Sequence, residues 1–216
     1  MPLAELRGNL FNSNAQTLVN TVNCVGVMGK GVALEFRRRF PEMFEAYRRV
    51  CRDRALHPGQ ILPYRRSQPW ILNFAVKGHW RNPSRLEWVE SCLDRFVKHY
   101  RSLNISSVAF PWIGASNGGL PWEPVHDLMR QYLMPLSDIH VEIVEFDPDA
   151  PDALFMRIHQ AARALDASAF ARHAGITKHA ADLVYRAIDA VPSLSRLCEF
   201  PGLGRDTVER LYASFR

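Results

Sequence analysis

The 216-residue sequence has only four cysteines, Cys24, Cys51, Cys92 and Cys198, with no C-x-x-C pair and no metal-ligand spacing among them. That excludes a disulfide-stapled scaffold and a structural zinc site, and it leads one to expect reduced thiols in a cytoplasmic protein with no bound metal or cofactor. No stretch approaches the ~18 consecutive apolar residues needed to cross a bilayer, and the Met-Pro-Leu-Ala-Glu start has no charged-then-apolar leader pattern. No membrane association is expected. A long block of one charge sign is also missing. Lys and Arg number 27 against 22 Asp and Glu, a net charge of +5 that is compatible with a polyanionic partner without specifying one. Arg37, Arg38, Arg39, Arg48, Arg49, Arg52 and Arg54 crowd one region, but Glu35, Glu42, Glu45 and Asp53 interleave with them. That mixture reads as an ordinary solvated helical face. At 47% hydrophobic residues, the chain is a folded protein with room for one good core and a small second unit.

Strand-like and helix-like patterns alternate up to about residue 147. Short apolar strands are predicted at Leu3–Arg7, Thr17–Val22, Trp70–Val76, Ser107–Phe110 and His140–Glu145. Helices are predicted at about 30–39 and 42–54. Another opens on Ser84-Arg-Leu-Glu87, which has the form of a capping box, and places Leu86, Val89, Leu93, Phe96, Val97 and Tyr100 on one face. One more follows Pro121, with Val125, Leu128, Met129, Tyr132 and Leu133 directed inward. The alternation predicts a three-layer α/β domain over residues 1–147. Asp147-Pro-Asp-Ala-Pro-Asp152 reads as a hinge, and residues 152–216 as a separate, purely helical domain.

The most informative stretch is residues 20–36, where a short apolar strand runs into Asn20 and Asn23 and then into a loop with Gly26, Gly29 and Gly31 before a helix. Glycines permit close backbone approach there, and a helix start offers unpaired N–H groups to an anion. The order is G-x-x-G-x-G, not the dinucleotide fingerprint. Two further segments follow predicted strands: Asn73-Phe-Ala-Val-Lys77-Gly-His-Trp-Arg81 and Phe110-Pro-Trp-Ile-Gly-Ala-Ser-Asn-Gly-Gly119. In open α/β sheets, ligands gather beyond the carboxyl ends of the strands, so the three segments are expected to converge.

The tail holds an internal repeat. Leu194-x-x-Leu197-x-x-Phe200-Pro-Gly-Leu-Gly204-x-x-x-Val208-x-x-Leu211 has a helix-hairpin-helix pattern. A degenerate copy lies 27 residues earlier, so that Gly175 matches Gly202, Ile176 matches Leu203, Ala181 matches Val208 and Val184 matches Leu211. Hairpin amides at Gly175, Gly202 and Gly204, helped by Lys178 and Arg205, suit a DNA phosphate. The competing reading is a tight interhelical turn used for packing or protein contacts.

The first domain resembles a macrodomain, the ADP-ribose-binding fold, through Gly8-Asn9-Leu10, Val19-Asn-Thr-Val-Asn23, the glycine-rich loop and the Gly114–Gly119 loop. Val-Asn-Thr-Val-Asn-Cys-Val-Gly-Val-Met-Gly-Lys-Gly-Val-Ala, followed by Asn-Phe-x-x-Lys-x-His-Trp-Arg, is similar to the DarG subgroup, antitoxin macrodomains that remove ADP-ribose from thymidine in DNA and oppose the DarT transferase. The resemblance implies a mixed sheet in three α/β/α layers. It implies ADP-ribose contacts at Gly8, Asn9 and Leu10 toward adenine, although many macrodomains have an aspartate where Asn9 stands. Contacts to the diphosphate and ribose are implied for Asn20, Val27, Met28, Gly29, Gly31 and Val32, and for Ser116, Asn117, Gly118, Gly119 and Leu120. Lys77 would be the catalytic residue at the distal ribose, as base or nucleophile, with Asn23 beside it. The related glycohydrolases that act on terminal ADP-ribose have an aspartate where Gly118 stands, so the general acid is left open. Trp80 would stack on a base, Arg81 would meet a phosphate, and His79 is either a third DNA contact or structural. Partners implied are ADP-ribosylated, single-stranded DNA and a DarT-like toxin. Two other functions compete: a non-catalytic ADP-ribose reader with a DNA- or partner-binding tail, and a hydrolase of ADP-ribosyl esters on protein.

Overall fold

The computed structural model describes residues 3–216. Six strands form one sheet: β1 (Leu3–Gly8), β2 (Thr17–Asn23), β3 (Ile61–Tyr64), β4 (Trp70–Lys77), β5 (Ser107–Pro111) and β6 (His140–Phe146). Their order is β1-β6-β5-β2-β4-β3. Every neighbouring pair is parallel except β3 with β4, so the sheet is mixed. Helices α1 (Gly31–Arg39), α2 (Pro41–Arg52), α3 (Leu86–His99) and α4 (Trp122–Leu133) cover it.

The period of two along each strand sends alternate side chains to opposite faces. Leu18, Val22, Ile71 and Ala75 join Phe36 of α1 and Met43 and Tyr47 of α2 in one buried cluster. Val19, Leu72, Phe74 and Val76 join Val89, Leu93 and Phe96 of α3 and Val125, Met129 and Leu133 of α4 in the other. This makes three layers with a core on each side of the sheet.

Two local features differ from expectation. β3 is an additional strand, four residues long and containing Pro63. Proline removes a ladder donor, which suits an edge position and also hides the strand from pattern reading. The expected capping box does not form: α3 starts at Leu86 after Arg85, with no side-chain cap. Ser84 is instead buried, its N–H donating to the Gly118 carbonyl at 2.8 Å.

The chain divides into two compact units between Phe146 and Asp147. The second unit is helical: α5 (Ala153–Ala164), α6 (Ala167–Ala174), α7 (Lys178–Ile188), α8 (Leu194–Cys198) and α9 (Arg205–Phe215). Asp152, Asp166, Thr177 and Ser193 cap α5, α6, α7 and α8 through side-chain oxygens. The 27-residue repeat is visible in the backbone. α7 and α9 start 27 residues apart, and the residues before them, Thr177 and Gly204, share φ −70° and ψ 156°. Gly175 and Gly202 both have positive φ, +64° and +90°. A methyl group on Gly175 would lie 3.7 Å from Arg210 of α9, and one on Gly202 would lie 3.4 Å from Leu183 of α7. Leu183 and Arg210 are themselves 27 residues apart, so the two hairpins pack on each other reciprocally. Phe170, Val184, Leu197, Val208 and Leu211 from both halves share one core.

Leu211→Ala, which empties the centre of that shared core, is expected to cost roughly 2–5 kcal/mol. That is most of the stability a unit of this size commands. Thermal denaturation followed by circular dichroism at 222 nm should show loss of part of the helical signal well before the main transition.

Candidate active site

Because β1, β2, β4, β5 and β6 run parallel, the segments that follow β1, β2, β4 and β5 leave the same edge of the sheet. Asn23 ends β2 and Lys77 ends β4, and the two are register partners across an irregularity between Val22 and Asn23. The Lys77 ammonium reaches toward the β5 loop and donates to the Asn117 carbonyl at 2.6 Å. Asn117 also touches the first glycine loop: a methyl on Gly31, whose φ is +55°, would lie 2.6 Å from Asn117 Nδ2. Lys77, Asn23 and the two glycine loops therefore meet at one point.

The loops have backbone donors to spare. α1 opens at Gly31 with no side-chain cap, so its first amides are unspent. In the second loop the Gly118, Gly119 and Leu120 amides bond internally to Ala115, Ser116 and Gly114. Ser116, at φ +53°, and Asn117 are exposed at its tip. Such a pair of amide-bearing turns can cradle a diphosphate. Partial burial of Lys77 lowers its pKa below the ordinary lysine value, which favours the neutral, nucleophilic amine. Cys24 and Cys92 are no competing nucleophiles: burial pushes their thiols up to about 11 and about 12.

Several expected contact residues are placed differently. Asn23 is buried, and its side chain is spent on the loop. Its Oδ1 accepts from Val25 N at 3.0 Å, Val27 N at 3.3 Å and the Tyr47 hydroxyl at 3.1 Å, while its Nδ2 donates to the Val27 carbonyl. Burial raises the Tyr47 phenol far above its usual value, so it stays a donor. Asn23 thus shapes the loop beside Lys77. Asn20 lies wholly inside, donating to Asn73 Oδ1 at 2.8 Å and toward the Met28 sulfur at 3.8 Å. Met28 and Leu10 are core residues under the loops. Asn9 accepts from Phe11 N at 3.0 Å, closing the turn after Gly8. Val27, Gly29, Gly31, Asn117 and Gly119 are exposed, and Val32 and Leu120 partly so, whereas Gly118 is buried against Ser84.

Just past Lys77 stands a short stack. The His79 and Trp80 rings lie 5.5 Å apart at 28°, and the Arg81 guanidinium sits 4.7 Å from the Trp80 ring centre. His79 Nδ1 accepts from the Arg81 amide at 3.2 Å, and Trp80 is 46% exposed. Trp112 and Trp122 stack on each other at 3.9 Å as partly buried wall. Gly175, Lys178, Gly202, Gly204 and Arg205 belong to the second unit, where all five are exposed. Among the described residues, no three His, Cys, Asp or Glu side chains are placed to hold a metal ion, and no helix is long and apolar enough to cross a membrane. Sequence reading missed Tyr47 and Ser84: Tyr47 lies on the inner face of α2, where it looks like an ordinary core residue.

A mixed sheet flanked by helices, with two glycine loops at the carboxyl end of its parallel strands, defines a three-layer α/β class. The Macro domain family model matches residues 19–129, and the chain belongs to this family. It is 45% identical over 144 residues to a DNA ADP-ribosyl glycohydrolase of Thermus aquaticus and 43% identical over 140 residues to one of Mycobacterium tuberculosis. These matches cover 65% and 63% of the chain, but it spans only 40% of either relative's length. Among solved structures, the macrodomain of Mycobacterium tuberculosis DarG superposes with a TM-score of 0.63 at 40% identity, covering 66% of this chain and 96% of that one. Thermosipho africanus DarTG in complex with ADP-ribose superposes with a TM-score of 0.61 at 37% identity, covering 64% of this chain and 40% of that one.

Gly31→Ala would force a side chain into a left-handed backbone and onto Asn117, at a cost of roughly 1–3 kcal/mol. Gly29→Ala, whose methyl would find its nearest neighbour at 3.8 Å, is expected to be much milder. Denaturant titration of the two variants checks the order.

Proposed function

We propose that the chain is a DNA ADP-ribosyl glycohydrolase. In this reading it cleaves the bond joining ADP-ribose to a thymidine base in single-stranded DNA, reversing a DarT-like transferase in the cytoplasm. The observation that carries the proposal is Lys77, a partly desolvated amine at a strand end, held between two glycine loops in a domain that is 40% identical to the macrodomain of Mycobacterium tuberculosis DarG. The amides at the start of α1 and at Ser116–Asn117 would hold the diphosphate, and the Gly8–Leu10 turn would border adenine. Neutral Lys77 Nζ attacks the anomeric carbon of the distal ribose. The bond to the base breaks with its electron pair on the base, which takes up the proton released from nitrogen. Water then displaces Nζ from the anomeric carbon, giving free ADP-ribose and the restored amine.

Trp80 and Arg81 would receive the neighbouring base and a phosphate, and the hairpins at Gly175 and Gly202 would add sequence-independent contacts to DNA. In support, Trp80 and Arg81 form an exposed stack, and both hairpin turns are exposed. Deleting residues 152–216 should then weaken salt-sensitive DNA binding while leaving ADP-ribose affinity unchanged. Unchanged DNA binding would assign the tail to a protein partner instead.

Lys77→Ala should lower release of ADP-ribose from a modified oligonucleotide on the order of 10³-fold while ADP-ribose still binds. Lys77→Arg should be equally inactive, because a guanidinium cannot present a neutral amine. Release by either variant at the wild-type rate would remove Lys77 from the mechanism. Tight ADP-ribose binding by the wild type without release would favour a reader. Release from glutamate-linked ADP-ribose but not from DNA would make the enzyme protein-directed.

The pH profile gives a separate check. Only the deprotonated amine attacks, so kcat/KM should rise with pH. The limb should have an apparent pKa below that of an unperturbed lysine, because desolvation favours the neutral form. A flat or falling profile over that range argues against amine attack.

A further inference from the structure

Residues 35–66 hold nine arginines and four acidic residues, so they account for the whole net charge of +5, and the rest of the chain balances to zero. The structure shows which of those acids neutralise which arginines. Glu35 pairs with Arg38 and Arg39, and Glu45 with Arg48. Glu42 accepts from the Tyr64 hydroxyl at 3.5 Å. Arg49, Arg52, Arg65 and Arg66 are exposed and make no ion pair among the described residues. The acids interleaved in sequence thus leave a cationic surface behind.

That surface has a direction. Arg49 and Arg52 are three residues apart on α2 and lie on the same side of it. Burial and the Glu42 carboxylate raise the Tyr64 phenol while Arg66 and Arg49 oppose them, which brings the turn after β3 beside this part of α2, with one carboxylate against two guanidiniums there. Arg65 is fixed with its guanidinium 4.0 Å from the Trp70 ring centre. At the other end, Arg48 packs against the first glycine loop: a methyl on Gly26 would lie 3.7 Å from its Cγ. From that loop the unpaired arginines occupy the last turn of α2, about 5 Å from Arg49 to Arg52 at ~1.5 Å per residue, and continue onto the turn after β3.

We propose that this arginine stripe carries the phosphodiester backbone of the DNA strand flanking the modified nucleotide. The proposal rests on ADP-ribosylated DNA being the substrate. A free diphosphate needs a compact cradle of amides, which the glycine loops supply. A row of exposed, separated guanidiniums fits a repeating polyanion instead, and arginine is the side chain best suited to phosphate contacts. Such contacts would position the strand without reading its sequence.

The test uses the full chain with Arg49→Gln, Arg52→Gln and Arg66→Gln together, assayed on an ADP-ribosylated oligonucleotide and on ADP-ribosylated thymidine without flanking nucleotides. On the oligonucleotide, kcat/KM at low salt should fall tenfold or more. The slope of log binding constant against log salt should become shallower by about 2, as three lost contacts to a single strand require. Release from the modified nucleoside, affinity for free ADP-ribose and melting temperature should be unchanged. Replacing the same three residues by lysine should restore most of the slope. An unchanged salt slope, or an equal loss on the nucleoside and on free ADP-ribose, would overturn the stripe while leaving the glycohydrolase reading intact. Failure of the wild type to release ADP-ribose from either substrate would instead overturn the substrate assignment itself.

Discussion

A lysine amine at the end of β4, donating to a backbone carbonyl on the loop of β5, two strands away in the sheet, is the contact on which the rest of the site is organised. The Lys77–Asn117 bond is possible only because β4, β2 and β5 run parallel and release their loops at one edge. It ties a titratable side chain to the turn that offers backbone donors, and Asn117 in turn abuts Gly31 at the start of α1. The titratable amine and the loop donors are thereby coupled through a single residue of loop. Desolvation makes the amine easier to deprotonate, while the carbonyl fixes its direction.

Beneath that contact lies a layer of buried polar groups, which an otherwise apolar core tolerates only where they are satisfied or serve a purpose. Tyr47 holds the Asn23 carbonyl and side chain, and Asn23 holds the loop. Asn20 bonds to Asn73, which reaches the Leu62 carbonyl on the edge strand. Among the described residues, Asn20 Oδ1 and Ser84 Oγ have no hydrogen-bond partner. Each such atom costs stability, on the order of 1–3 kcal/mol. Asn20 packs under the first glycine loop beside Met28, and Ser84 under the second beside Gly118. The fold accepts local cost there in exchange for loop geometry.

Most of this architecture could be read from residue pattern alone, because strands buried on both faces and amphipathic helices are dictated by periodic apolar positions. Each of the five long strands differs from expectation by a residue at its end, whereas β3, short and interrupted by Pro63, gave no pattern to read. Ser84 and Glu87 mimicked a cap, since spacing cannot reveal that the serine is drawn under Gly118. Leu10, Asn20 and Met28 sit in loops and strand ends rich in candidate ligand residues, yet they point inward. Asn23 was expected near the distal ribose; it is the register partner of Lys77, and the hydrogen bonds that occupy its side chain come from Val25, Val27 and Tyr47 and exist only in three dimensions. The arginines from 37 to 54 read as an ordinary solvated face because acids interleave with them, and adjacency in sequence does not say who pairs with whom.

The reciprocal contacts in the helical unit, Gly175 with Arg210 and Gly202 with Leu183, describe a local dyad generated within one chain. A unit built this way has no self-sufficient half. Each hairpin completes its interior with side chains lent by its twin, so neither could be trimmed away or exchanged alone without exposing apolar surface on the one left behind. The weaker copy, with Ala-Gly-Ile-Thr in place of Pro-Gly-Leu-Gly, can drift in sequence only within the shape its partner imposes. The two hairpins must therefore be inherited together.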